Sequence, residues 1–178
     1  MKKLFSLIFF SLFTIVAVAQ LQHFDFNVVT PGTLKSLIAA RGELYIFDMK
    51  VTGNIDARDI KCLRDEFTKL IVLDISSITI QPYTGVGGTT SDLIYPANQI
   101  PDYSFNNSGN GKTSLISITL PDSITTIGNY AFSNCSGLTK IIIPKQVTLI
   151  GIHAFFSSGT QGRSIAEGLV FENRLSSH

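Results

Sequence analysis

The step Gly111-Lys112-Thr113 is the pattern in this 178-residue chain that comes nearest to chemistry. A Gly-Lys-Thr step closes the loops that wrap nucleotide phosphates, where backbone N–H groups and a lysine neutralise the anion. Such a loop needs a glycine five residues before Gly111, and position 106 is Asn. It also needs a helix to follow, whereas Leu115 to Leu120 alternates like a strand. The step therefore reads as a turn insertion. Gly85-Val86-Gly87-Gly88 lacks the third glycine of a dinucleotide loop, opens no helix and reads as flexible loop. His23, His153 and His178 have no ligand spacing to one another or to cysteine. Asp65 and Glu66 are adjacent, so on a helix they do not face each other and read as a solvated face. No serine stands in a strand–turn–helix elbow. No catalytic set can be assembled, so the chain reads as a non-enzyme with no cofactor and no metal.

Composition bounds the rest. Apolar residues make up 44% of the chain and charged ones 15%, enough to build a core and too apolar for disorder. The length fits one domain with a tail. Setting Lys2 and Lys3 aside, 12 basic residues stand against 13 acidic ones, a net of −1 with no case for the basic face that nucleic acid demands. Two cysteines exclude a disulfide-stapled mini-domain. Cys62 and Cys135 could pair outside the cytoplasm, but their unrelated contexts favour two small buried thiols.

Residues 1–19 read as an export leader. Lys2 and Lys3 form a positive start, Leu4 to Val16 is an apolar run broken by Ser and Thr, and Ala17-Val18-Ala19 offers small residues for cleavage before Gln20. The run is shorter than the roughly 20 residues that span a bilayer, and no later segment compensates. The expectation is a secreted or cell-surface protein without a transmembrane segment in the mature chain.

The second half is periodic. Leu115-Ile116-Ser117-Ile118-Thr119-Leu120-Pro121 recurs 23 residues later as Leu138-Thr139-Lys140-Ile141-Ile142-Ile143-Pro144. At the same offset Ile127-Gly128-Asn129-Tyr130-Ala131-Phe132 recurs as Ile150-Gly151-Ile152-His153-Ala154-Phe155. An earlier copy, Ile100-Pro101-Asp102-Tyr103-Ser104-Phe105, stands 27 before Ile127, the excess being Gly109 to Lys112. Leu70-Ile71-Val72-Leu73-Asp74-Ile75 is a more distant copy without the proline. Each unit reads as a short strand with one buried face, stopped by Pro121 or Pro144, then a turn whose Ala and Phe plug the interior. One unit cannot bury its own apolar side, so units must stack. On that reading His153 fills the place of Tyr103 and Tyr130.

The texts LISITLPDSITTIGNYAFSNCSGL and LTKIIIPKQVTLIGIHAFFSS resemble the BspA-like leucine-rich repeats of exported bacterial surface proteins. The resemblance covers about residues 98 to 158, and Asn134-Cys135 fits the cysteine that usually follows the Phe. It implies an α/β fold, a leucine-rich repeat solenoid with an N-terminal α/β cap, and adhesion to host matrix or other cells. The family's repeats are usually numerous, whereas two good units and one or two partial ones stand here, as in a short or truncated member. The expected plan is a leader at 1–19, a cap at 20–69, repeats at 70–158 with an irregular insertion at 81–98, and a divergent tail at 159–178. Within the cap, the spacing predicts a helix over Thr33–Ala40 and a strand at Leu44–Phe47. A second helix runs from an Asp56 N-cap to about Lys69. Outward strand positions then fall at Asp74, Ser117, Thr119, Lys140 and Ile142, a mixed row suited to a protein or glycan surface. The expected function is an exported, non-enzymatic binding module. The alternatives are an N-terminal fragment of a longer surface protein and, less favoured, a secreted hydrolase.

Overall fold

Strict alternation opens the described chain. The computed structural model describes residues 22–43 and 45–159; the leader, His178 and the expected tail beyond Gly159 lie outside the described residues. In β1 (His23–Val28), Phe24, Phe26 and Val28 are buried while His23, Asp25 and Asn27 face out, the period of two that a half-buried strand requires. Helix α1 (Leu34–Arg41) buries Leu34 and Ile38 and ends at Gly42, whose left-handed φ of 71° lets its N–H reach the Ala39 carbonyl.

The next strand, β2, runs Asp48–Ile55, so Tyr45 to Phe47 of the strand that the apolar run predicts precede it, and Leu44 lies outside the described residues. Pairing decides it: β2 lies between β1 and β3 (Val72–Ile80), and its first partners are His23 and Val72. Tyr45 instead stands largely in solvent. Helix α2 (Ala57–Asp65) starts where Asp56 predicts, with a capping box. The Asp56 carboxylate accepts the Arg58 N–H at 2.9 Å and the Asp59 carboxylate accepts the Asp56 N–H at 3.1 Å. Buried Asp59 also takes the N–H groups of Gly32 (2.6 Å) and Leu34 (2.9 Å), so one carboxylate ties the starts of both helices together. The helix stops at Asp65 rather than about Lys69 because Leu70 turns back to the Phe67 carbonyl and Lys112 Nζ takes the carbonyls of Arg64 and Phe67.

Short strands follow. The stretch expected to be irregular holds a hairpin of β4 (Tyr83–Thr84) and β5 (Ile94–Tyr95). After β6 (Gln99–Ile100), the extra residues of the long repeat form a second hairpin, β7 (Asn106–Asn107) with β8 (Asn110–Gly111). Ser108 and Gly109 make its two-residue turn, both with positive φ (51° and 91°), as a tight hairpin demands. The repeat strands are β9 (Ser117–Thr119), β10 (Thr126–Ile127), β11 (Lys140–Ile142) and β12 (Leu149–Ile150).

The architecture is mixed α/β with parallel sheets. A five-stranded sheet runs in the order β1-β2-β3-β9-β11 and a three-stranded one in the order β12-β10-β6. Ser117 pairs with Lys140 and Thr126 with Leu149, both at the sequence offset of 23; Ile100 pairs with Ile127 at 27. The turns stack likewise. Phe105, Phe132 and Phe155 form a column with ring centroids 5.1 and 5.3 Å apart and planes within 10°. Tyr103, Tyr130 and His153 form a second column outside it, at 5.0 and 5.2 Å. Those three residues share a positive φ of 54° to 56°, a costly conformation for side chains this bulky. It is held by the next turn, since Tyr103 N–H bonds to Asn129 O and Tyr130 N–H to Ile152 O. Gly128 and Gly151 are needed at the bend: a Cβ there would stand 2.5 Å from the backbone nitrogens of Asp102 and Asn129. Both cysteines are buried and free.

The central ring of the inner column is the sensitive point. Phe132→Ala is expected to cost about 3–5 kcal/mol in urea unfolding, whereas Phe156→Ala, at a site 52% exposed, should cost under about 1 kcal/mol. Equal losses would mean that the column does not form the core.

Candidate functional site

Parallel pairing converts the alternation of five strands into continuous rows. The inward row Phe24, Met49, Leu73, Ile118 and Ile141 is buried, and the residues on either side of it point out. One outward row reads His23, Asp48, Val72, Ser117, Lys140; the other reads Asp25, Lys50, Asp74, Thr119, Ile142. All five positions picked from the repeats thus lie on one face, with Asp74, Thr119 and Ile142 in one row and Ser117 and Lys140 in its neighbour.

The structure also adds what the repeats do not disclose. His23, Asp25, Asp48 and Lys50 continue both rows into the cap. The pattern His-Phe-Asp-Phe-Asn-Val carried that signal, since its alternation alone marks a strand.

Electrostatics divide the face. At its N-terminal side His23 Nδ1 lies 2.9 Å from Asp48 and Nε2 3.4 Å from Asp25. The hydrogen bond to Asp48 holds the imidazole above its ordinary pKa. Lys50 Nζ sits 3.2 Å from Asp74. Asp74 has a structural duty as well: β3 carries one more residue than β2 between Asp74 and Ser77, and the Asp74 carboxylate takes the displaced Ser76 N–H at 2.9 Å. Burial pushes this carboxyl up, but the bonds from Ser76 and Lys50 outweigh it and leave the group below the usual carboxylate range. At the C-terminal side Thr119, Lys140 and Ile142 are exposed, Ile142 at 55%. That half is a cation and an aliphatic side chain among hydroxyls.

The other sequence motifs settle elsewhere. Gly111-Lys112-Thr113 ends the second hairpin and lies against α2, and Gly85 to Gly88 lies in the loop of the first. His153 is exposed in the outer aromatic column, with Phe156 edge-on at 5.3 Å. Asp65 pairs with its neighbour Arg64 at 2.7 Å, while Glu66 binds Lys35 at 2.6 Å. Burial raises the thiols of Cys62 to about 12 and Cys135 to about 11, so neither supplies a thiolate at neutral pH. Among the described residues no helix is long and apolar enough to cross a membrane.

Rungs that recur at offsets of 23 and 27 residues, together with one laterally continuous sheet face, mark a repeat protein that presents a surface. Residues 98–170 match the model of the family described as BspA type Leucine rich repeat region (6 copies). Over that stretch the chain is similar to BspA-like leucine-rich repeats. Such repeats are in general non-enzymatic and bind proteins, and the proteins that carry them are typically surface or secreted bacterial proteins. The match takes in Ser117, Thr119, Lys140 and Ile142 and leaves the β1–β3 part of the face outside it. No curated protein matches the chain.

His23 reports on the N-terminal half of the face. Its pKa is raised, so its pairing with Asp48 stabilises the fold below the unfolded value of 6.5 and is lost as pH climbs through the higher folded value. An NMR titration should place His23 above 6.5, and Asp48→Asn should return it towards that value. An unchanged midpoint in the variant would assign the shift to Asp25 instead.

Proposed function

We propose that this protein is an exported adhesion module, a short leucine-rich repeat solenoid that binds a protein or glycan surface through the outward rows of its five-stranded sheet. Three things support the reading. The repeats belong to a class of binding repeats found on bacterial surfaces and in secreted proteins. Residues 1–19 have the three-part pattern of a secretory leader. The outward rows are broad and shallow, a form that suits macromolecules better than a small substrate, which needs a concave pocket.

One observation carries the proposal: ten outward positions on five strands fall into two unbroken rows. Within them the exposed trio Thr119, Lys140 and Ile142 is the contact centre. Asp74 is a supporting residue, because its carboxylate is engaged by Ser76 and Lys50. The partner is a host matrix protein, a cell-surface protein or a surface glycan.

The test is a binding screen of the secreted chain, from Gln20 onward, against arrays of matrix proteins and glycans. A double variant, Thr119→Glu with Lys140→Glu, should weaken any hit at least ten-fold. Unfolding stability should shift by no more than about 0.5 kcal/mol, as both side chains are exposed. Retained binding in the folded double variant would move the contact away from the sheet face.

A further inference from the structure

A second site, unrelated to the sheet face, lies at the joint between cap and repeats. Lys112 leaves the end of β8 and runs inward until its side chain is almost wholly enclosed, at 7% exposure. Its ammonium donates to the carbonyls of Arg64 (3.3 Å) and Phe67, which occupies two of three N–H donors. Among the described residues no carboxylate lies within ion-pair distance of it. The acid on this side of α2, Asp65, is held by Arg64 Nε at 2.7 Å and by the Asn107 amide at 3.2 Å.

Arg64, too, is heavily engaged. Besides Nε, it donates from Nη2 to Asp65 and from Nη1 to the carbonyls of Thr89 (2.9 Å) and Tyr103 (3.0 Å). Beside these groups opens a cleft of about 310 Å³ whose wall includes Thr68, Asn107, Asn110 and Thr113. Two cations and one carboxylate border it, so the cleft carries one unbalanced positive charge.

A desolvated ammonium without a counter-ion is unfavourable, and burial accordingly pulls Lys112 down to about 8. Carbonyl dipoles relieve part of that cost, but they cannot cancel a net charge. What would cancel it is an anion small enough for the cleft, with hydroxyl and amide donors to fill its remaining lone pairs.

We propose that this cleft binds a small oxyanion, a carboxylate or phosphate group, with the Lys112 ammonium as its charge partner and Thr68, Thr113, Asn107 and Asn110 as neutral donors around it. The site is built where α2, the β7–β8 hairpin and the start of the repeat strands meet, so an anion there also braces the cap against the repeats. Binding requires the charged amine. The thiols of Cys62 and Cys135 that face the same region are neutral below about 11, and the Asp65 carboxyl is held below its ordinary range, so Lys112 is the group there that changes charge near neutrality.

The experiment titrates the intact chain with inorganic phosphate, sodium acetate and sodium galacturonate at pH 7. Sodium chloride at matched ionic strength is the control. Saturable displacement of the Gly111, Lys112 and Thr113 amide resonances, with a rise in thermal midpoint that chloride does not give, is the expected result. The arm that saturates at the lowest concentration separates free phosphate, simple carboxylate and sugar carboxylate. The Lys112 amine should titrate higher in the saturated protein, and affinity should fall at least ten-fold between pH 7 and pH 9.5. Replacing Lys112 would strip the donor from two backbone carbonyls, one in the last turn of α2 and one just beyond it, so the deciding variant is Thr113→Glu, an exposed position on the cleft wall. It should fold normally and lose at least ten-fold in affinity. Shifts that never saturate, shifts matched by chloride, or unchanged affinity in Thr113→Glu would each overturn the assignment.

Discussion

Parallel strands pair at a spacing of about 4.8 Å, and almost everything in this molecule follows from keeping successive rungs at that distance. Side chains at equivalent positions are then forced into contact with their own counterparts. Aromatic rings tolerate this better than most groups, because offset stacking is favourable at about 5 Å. Phe105, Phe132 and Phe155 meet the requirement with nearly parallel rings, and Tyr103, Tyr130 and His153 meet it outside them. Where the backbone itself must approach, only glycine fits, as at Gly128 and Gly151. A polar side chain can serve the same geometry: Asn129 takes the Ile152 N–H at 2.8 Å, while its own N–H goes to Asp102 at 2.7 Å.

The cap obeys the same spacing by other means. Its strands β1 and β2, like β3 beside them, are longer than the later repeat strands, yet they belong to the same sheet and share its rows. Helices cover their inner side, held together by Asp59, whose carboxylate gathers three backbone N–H groups. That carboxyl is raised by burial and drawn back by those same bonds, which marks it as a structural acid. The cap is therefore the wide first part of the ladder on which the repeats build.

This division explains what could be read from the chain. Rungs with a fixed offset of 23 disclose themselves, because the physical demand of stacking repeats the same residue types at the same places. The N-cap at Asp56 was equally legible, since a capping box is a local device. Strands β1 and β2 have no counterpart at the repeat offset, and the start of β2 is set by partners 25 residues before and 24 after it. The apolar run Leu44 to Phe47 is therefore a poor guide to the strand. Four of the ten outward positions were lost with those two strands. The role of Lys112 was hidden for a similar reason, because its partners, Arg64 on α2 and Phe67 just beyond it, are 48 and 45 residues away.

The hairpin at Asn106–Gly111 shows how such a ladder tolerates variable unit length. A two-stranded ribbon with a tight turn leaves and re-enters the main path at nearly one point, and so the 27-residue unit still pairs in register with its 23-residue neighbour. Extra sequence placed at that corner is topologically invisible to the rungs above and below. The corner is thus a natural docking port for new loops, through which one scaffold can acquire fresh recognition elements without rebuilding its interior.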